Sequence, residues 1–193
     1  MKKDIILAGV GGQGILSIAT IIGYAAIESG LNLKQAEVHG MSQRGGDVQS
    51  HLRISDKEIF SDLIPHGGAD LILSVEPMEA LRYMPYLTEN GWFITNTTPF
   101  VNIPDYPDTN KLIDEIKSIK NNVAINADQI AKDLGSSRSM NMVMLGAASL
   151  FLDIPYDKLE EGIKFIFGRK GEKVVESNLK AMKAGKDFAK KNK

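Results

Sequence analysis

Two glycine-rich segments hold the residues best suited to chemistry. Gly9-Val10-Gly11-Gly12-Gln13-Gly14 follows a short apolar run and opens a helical pattern. Gly9, Gly11 and Gly14 have the dinucleotide-binding spacing. Glycines let a ligand or a neighbouring strand approach the backbone closely. A helix N-terminus adds unpaired N–H groups and about half a positive charge. Glu37, near the end of the next predicted strand, is placed as a ribose-binding acid would be. The same motif also serves as a tight turn packing helix against strand, and the spacing alone leaves both readings open. The second segment is His39-Gly40-Met41-Ser42-Gln43-Arg44-Gly45-Gly46. Ser42, Gln43 and Arg44 all form hydrogen bonds, and the Arg44 fork suits a carboxylate or phosphate. Gly45 and Gly46 imply unusual backbone geometry, although a solvated loop has the same composition. A third segment, Met140-Asn141-Met142-Val143-Met144-Leu145-Gly146, is mostly core by its spacing. Asn141 is its one polar candidate for a site.

These segments need a frame. Residues 5–10 read as a buried strand and 15–29 as a largely buried helix stopped by Gly30. A second strand is predicted at 33–38. Residues 48–54 alternate, with Val48, Ser50, Leu52 and Ile54 on one face and Gln49, His51 and Arg53 on the other, the pattern of a half-exposed strand. Further strands are predicted at 71–75, 92–97 and 122–126, with a turn at Asn90-Gly91 and a helix opened by Pro77. Another helix is expected at 109–119, after a non-helical segment at 98–108. From 128 onward the pattern is helical, broken at Gly135, Pro155 and Gly168. Strands separated by helices predict one α/β, Rossmann-like domain over residues 1–193, with a mainly parallel sheet and helices on both faces. The α/β core spans about 1–127 and a helical C-terminal part about 128–193. Residues 180–193 hold six lysines and one aspartate, which reads as a solvated, frayed terminal helix.

Composition narrows the functions available. The chain has 193 residues, 43% hydrophobic and 24% charged, enough for a globular core. A net charge of −1 provides no field to gather nucleic acid or an anionic membrane. Zero cysteines exclude a Cys nucleophile and an ordinary iron–sulfur cluster on this chain. With only three histidines, no metal site is expected. No apolar run approaches the roughly 18 residues of a membrane span, and glycines interrupt the N-terminal apolar stretch too early for a signal peptide. A cytoplasmic location is expected.

GVGGQG, then AEVHGMSQRGG before an alternating strand, then NMVMLGA in a late helix together resemble the gamma-type domain of the 2-oxoacid:ferredoxin oxidoreductase family, most closely its indolepyruvate-oxidising branch. The resemblance runs over nearly the whole chain. Family members acting on pyruvate or 2-oxoglutarate typically carry a Gly-Pro-Glu-x-Arg-Gly-Gly type loop. Here only Arg44-Gly45-Gly46 of that pattern stands, which points to the aryl-pyruvate branch. The resemblance implies a non-catalytic subunit that is inactive alone. Thiamine diphosphate and iron–sulfur clusters would sit on a large partner subunit, with ferredoxin as acceptor and coenzyme A as co-substrate. It also implies that Gly9, Gly11, Gly12, Gln13, Gly14, Ser42, Gln43, Arg44, Gly45 and Gly46 help form a substrate and coenzyme A cleft, to which Asn141 is added as the polar candidate of the third segment. A self-sufficient NAD- or ATP-binding enzyme and a non-catalytic assembly protein are the alternatives.

Overall fold

In the computed structural model, which describes residues 1–40 and 45–193, β1 (Lys2–Val10) lies inside a sheet ordered β2-β3-β1-β4-β5-β6. The other strands are β2 (Asn32–His39), β3 (Asp47–Ser55), β4 (Ala69–Ser74), β5 (Leu87–Asn96) and β6 (Asn122–Ile125). β1, β4, β5 and β6 run parallel, while β3 is antiparallel to both β1 and β2. β2 and β3, consecutive in the chain, pair directly with each other. Reversing β3 makes β2 and β1 point the same way. Their C-terminal ends, at His39 and Val10, therefore share one sheet edge, with Asp47 starting β3 between them.

Period-two alternation sends the strand side chains to opposite faces. Ile5, Leu7, Leu52, Leu71, Leu73 and Ile94 face the larger core, which α1 (Ile15–Glu28) covers. α4 (Ala127–Asp133), α5 (Met140–Ala148), α6 (Tyr156–Phe167) and α7 (Glu172–Asn192) complete that side. Ile6, Ala8, Ile72 and Phe93 face a smaller core under α2 (Pro77–Arg82) and α3 (Thr109–Ser118). The fold is thus α/β with helices on both faces and a helical C-terminal segment, as the sequence predicts.

Three local expectations change. The terminal segment is docked rather than frayed: Ala181, Gly185 and Ala189 recur every four residues and are buried on α7. A Cβ added to Gly185 would lie 1.8 Å from the Val143 carbonyl oxygen, and one on Gly146 would lie 1.9 Å from that of Met182. The α5 and α7 backbones are in contact, and the lysines occupy the outer face of α7. Asn90-Gly91 is not a turn before a separate strand. Ala69 pairs with Leu87 and Leu71 with Trp92, so the surplus residues of β5 are accommodated as an irregularity within one strand.

The third change concerns β3, which is covered on both faces. Arg53 donates to both Asp4 carboxylate oxygens, at 2.8 and 3.0 Å, and to the Ser61 and Leu63 carbonyls. His51 is buried, and its Nδ1 accepts from the Ile64 N–H at 2.9 Å. Burial holds the His51 pKa below its usual 6.5, against a smaller opposing pull from Asp62. Protonating Nδ1 would also remove the acceptor for Ile64. Because the folded-state pKa is depressed, the stabilisation is complete above 6.5 and declines as pH falls below it. Thermal midpoints measured from pH 7.5 down to 5 are expected to fall, and His51→Gln is expected to flatten that slope. An equal slope in both proteins would show that His51 does not set it.

Candidate functional site

Main-chain geometry builds the first loop. The Gln13 N–H donates to the Val10 carbonyl at 3.2 Å, and Gln13 Oε1 accepts from the Val10 N–H at 2.8 Å. Gln13 thereby staples the turn that leaves β1. Gly14 has φ +85°, a left-handed conformation that favours glycine. Its carbonyl accepts from Ser17 and Ile18 of α1 and from Asn141 Nδ2 at 3.2 Å. A Cβ on Gly14 would lie 2.4 Å from that Nδ2. Asn141 on α5 thus locks the start of α1 across 127 residues of sequence. Gly12 also has positive φ, at +99°, but a Cβ there would meet nothing within 4 Å. Gly9 belongs to β1 rather than to the loop, and a Cβ there would lie 2.4 Å from Val75 Cγ2.

The second glycine segment closes against the first. The Gly11 N–H donates to Gly46 O at 2.8 Å, and the Gly45 N–H donates to Gly11 O at 3.4 Å. Gly40 N–H to Asp47 O, at 2.9 Å, ties the hairpin base. Ser42, Gln43 and Arg44 lie outside the described residues. Asn102 Nδ2 donates to Gly45 O at 2.6 Å, bringing the proline-rich 98–108 segment onto the same edge. Between the loops opens a cavity of about 570 Å³, bounded by Gly11, Gly12, Gly14, Leu16, His39 and Gly40. The first N–H groups of α1 have no intrahelical acceptor and adjoin this cavity, which makes it suited to an anion. Leu16 and Val38 are exposed close by, as are Phe100 and Val101 on the 98–108 segment.

The 98–108 segment is held by a residue that motif reasoning misses. Glu76 is fully buried and caps α2 by accepting from the Glu79 N–H at 2.8 Å. Its other oxygen accepts from the Phe100 N–H at 3.1 Å and from the Tyr106 hydroxyl. Burial and then this bond push the Tyr106 hydroxyl pKa up. The sequence signal is a polar residue directly before Pro77, where a helix cap belongs.

Glu37 is not placed as a ribose acid would be. Its carboxylate pairs with His39 and accepts from Gln35 Nε2 at 3.2 Å. The inserted β3 also places β2 two strand spacings, about 10 Å, from β1, where a dinucleotide fold has one. The cleft therefore offers backbone donors, glycine clearance and an apolar rim, an arrangement for binding and orienting. Among the described residues, no group of three His, Cys, Asp or Glu could hold a metal ion, and no helix is long and apolar enough to cross a membrane.

Known proteins share this architecture. The family model for pyruvate ferredoxin/flavodoxin oxidoreductase matches residues 4–188. The chain is 39% identical over 194 residues to the indolepyruvate oxidoreductase subunit IorB of Archaeoglobus fulgidus, covering 96% of this chain and 94% of that one. Among solved structures, it superposes on the 2-oxoglutarate:ferredoxin oxidoreductase of Magnetococcus marinus, which has 2-oxoglutarate, coenzyme A and succinyl-CoA bound, with TM-score 0.78 and 27% identity. That match covers 98% of this chain and 31% of the larger polypeptide. It also superposes on the keto/oxoacid ferredoxin oxidoreductase gamma subunit of Geobacter sulfurreducens with TM-score 0.73 and 25% identity, covering 98% and 99% of the two chains.

Proposed function

The chain belongs to the pyruvate ferredoxin/flavodoxin oxidoreductase family, and we propose that it is the small subunit of a 2-oxoacid:ferredoxin oxidoreductase acting on indolepyruvate or a related aryl pyruvate. The extent of the likeness to the archaeal indolepyruvate subunit, which covers nearly all of both chains, carries this reading. Thiamine diphosphate and iron–sulfur clusters belong to the large subunit and supply decarboxylation and electron transfer to ferredoxin. With no cysteine, this chain has no thiolate to hold a cluster. Its own residues bind and orient.

The edge formed by Gly11–Gly14 and Gly45–Gly46 faces the thiamine-bearing subunit and lines the cleft for the 2-oxoacid and coenzyme A. The orphan N–H groups of α1 receive anionic oxygens there. Arg44, with Ser42 and Gln43 beside it in sequence, supplies a fork for a substrate carboxylate or a coenzyme A phosphate. The exposed Leu16, Phe100 and Val101 pack against the large subunit and keep water from the cleft.

The test is reconstitution. The purified chain is expected to give no turnover with any 2-oxoacid. Adding the large subunit anaerobically should give viologen or ferredoxin reduction that requires both an aryl pyruvate and coenzyme A. Turnover by this chain alone with added NAD would sink the subunit reading and establish a self-sufficient dehydrogenase.

A further inference from the structure

Gly45 and Gly46 have no side chains, and Gly45 has φ +83°. Glycine enters that region freely but also leaves it freely, so nothing in these two residues fixes the peptide between them. Gly11, which bounds the cavity, supplies two bonds: it accepts from the Gly45 N–H at 3.4 Å and donates to Gly46 O at 2.8 Å. A third bond comes from far along the chain, where Asn102 Nδ2 donates to Gly45 O at 2.6 Å. The Phe100 ring stands beside the same residue, since a Cβ on Gly45 would lie 4.0 Å from its Cε1.

Asn102 is exposed, on a segment with no helix or strand. That segment nevertheless has little freedom. Pro99, Pro104 and Pro107 each fix one φ angle. Ahead of Asn102, the Thr98 N–H donates to Asn96 Oδ1 at 3.4 Å and the Phe100 N–H to Glu76 Oε1 at 3.1 Å. Beyond it, the Tyr106 hydroxyl donates to the same Glu76 oxygen. Asn96 and Glu76 are both fully buried. The segment is therefore a strap pinned on either side of Asn102 to groups in the body of the sheet. Its stem is ordered before the amide reaches Gly45, so that bond costs less conformational entropy than one from a free loop.

We propose that Asn102 is a positioning residue for the cleft, a role that rests on the subunit reading given above. It fixes the Gly45–Gly46 peptide, and through that peptide the Gly11 wall against which the 2-oxoacid and coenzyme A are oriented. Glu76 and Asn96 act one step behind it, by fixing the strap.

The experiment has two arms. The first follows amide hydrogen exchange at Gly11 and Gly45 by NMR on the full chain alone. Loop amides exchange through local opening, and loss of one hydrogen bond eases opening about two- to tenfold. Asn102→Ala is expected to speed exchange at both amides by that factor, with core amides such as Ile72 and Phe93 unchanged. Asn102→Asp keeps the shape but offers Gly45 O only acceptors, so it should speed exchange at least as much. Asp105→Ala, at an exposed position on the same strap, should have no effect. The second arm is kinetics of the complex reconstituted with the large subunit. Asn102→Ala should raise the KM for the 2-oxoacid or coenzyme A about two- to tenfold while kcat and assembly hold. Unchanged exchange in Asn102→Ala, or wild-type exchange in Asn102→Asp, would overturn the proposal, because the amide would then only fill space. Faster exchange with an unchanged KM in an active complex would overturn it too, because the strap would then serve the fold alone. Should the wild-type subunits give no turnover, the subunit reading fails, and the exchange arm by itself decides whether Asn102 holds the loop.

Discussion

Gly185→Ala is expected to lower the thermal midpoint by about 6–12 °C, the equivalent of roughly 3 kcal/mol in a chain of this size, and Gly185→Val is expected to leave little folded protein. The added Cβ would lie 1.8 Å from Val143 O and 2.7 Å from Val143 C. Carbon and its neighbours come to rest at about 3.5–4.0 Å, so α7 would have to lift from α5 by more than 1 Å. Neither backbone can yield without giving up its own helical hydrogen bonds. Lifting α7 also exposes Ala181, Met182 and Ala189 together with the core under α5. Domain stability is only about 5–15 kcal/mol, so the larger side chain exhausts most of it. Gly168→Ala is the control, since its Cβ would meet nothing within 4 Å. An unchanged midpoint in Gly185→Ala would mean that the two helices are not in backbone contact.

The second large effect is expected at Gly14. Gly14→Ala must hold φ near +85° and displace the Asn141 amide, whose Nδ2 would lie 2.4 Å from the new carbon. The conformational strain costs about 1–2 kcal/mol, which a folded chain survives. The displaced loop is the graver consequence. A shift of about 1 Å in a positioned group can cost about a hundredfold in rate. The reconstituted complex should therefore assemble but turn over about a hundredfold more slowly. Gly12→Ala should cost less, because it carries the φ strain without a collision. Removing the collision in a Gly14→Ala, Asn141→Ala double variant should recover part of the loss. Full activity in an assembled Gly14→Ala complex would place the working cleft elsewhere.

The glycine loops, the strands they leave and the helix after β1 are legible in the sequence because local backbone demands set them. Glycine at Gly14 reports a left-handed residue, and the apolar run before it reports a buried strand. What is not legible depends on partners remote in sequence. Nothing in residues 48–54 says that β3 inserts between β2 and β1, yet that insertion decides the fate of Glu37. Alternation marks β3 as half-exposed because Gln49, His51 and Arg53 are polar. His51 and Arg53 are covered because the 59–65 segment brings carbonyls and an N–H group that polar side chains can satisfy. The lysines of α7 hide the spacing of Ala181, Gly185 and Ala189 behind a charged composition. Glu76 belongs to no motif, since its role arises only when residues 98–108 fold over it. Asn141 stands out in sequence as a polar residue in an apolar helix, but its partner Gly14 is visible only in three dimensions.

The two loops are tied to each other through main-chain atoms, Gly11 to Gly46, Gly45 to Gly11 and Gly40 to Asp47. None of these bonds depends on the side chains at positions 41–44. The joint between the loops is therefore indifferent to which side chains stand at 41–44. The identity of the side chains at those positions is thereby uncoupled from the integrity of the fold: the joint between the two loops tolerates change there because it is made of main chain alone.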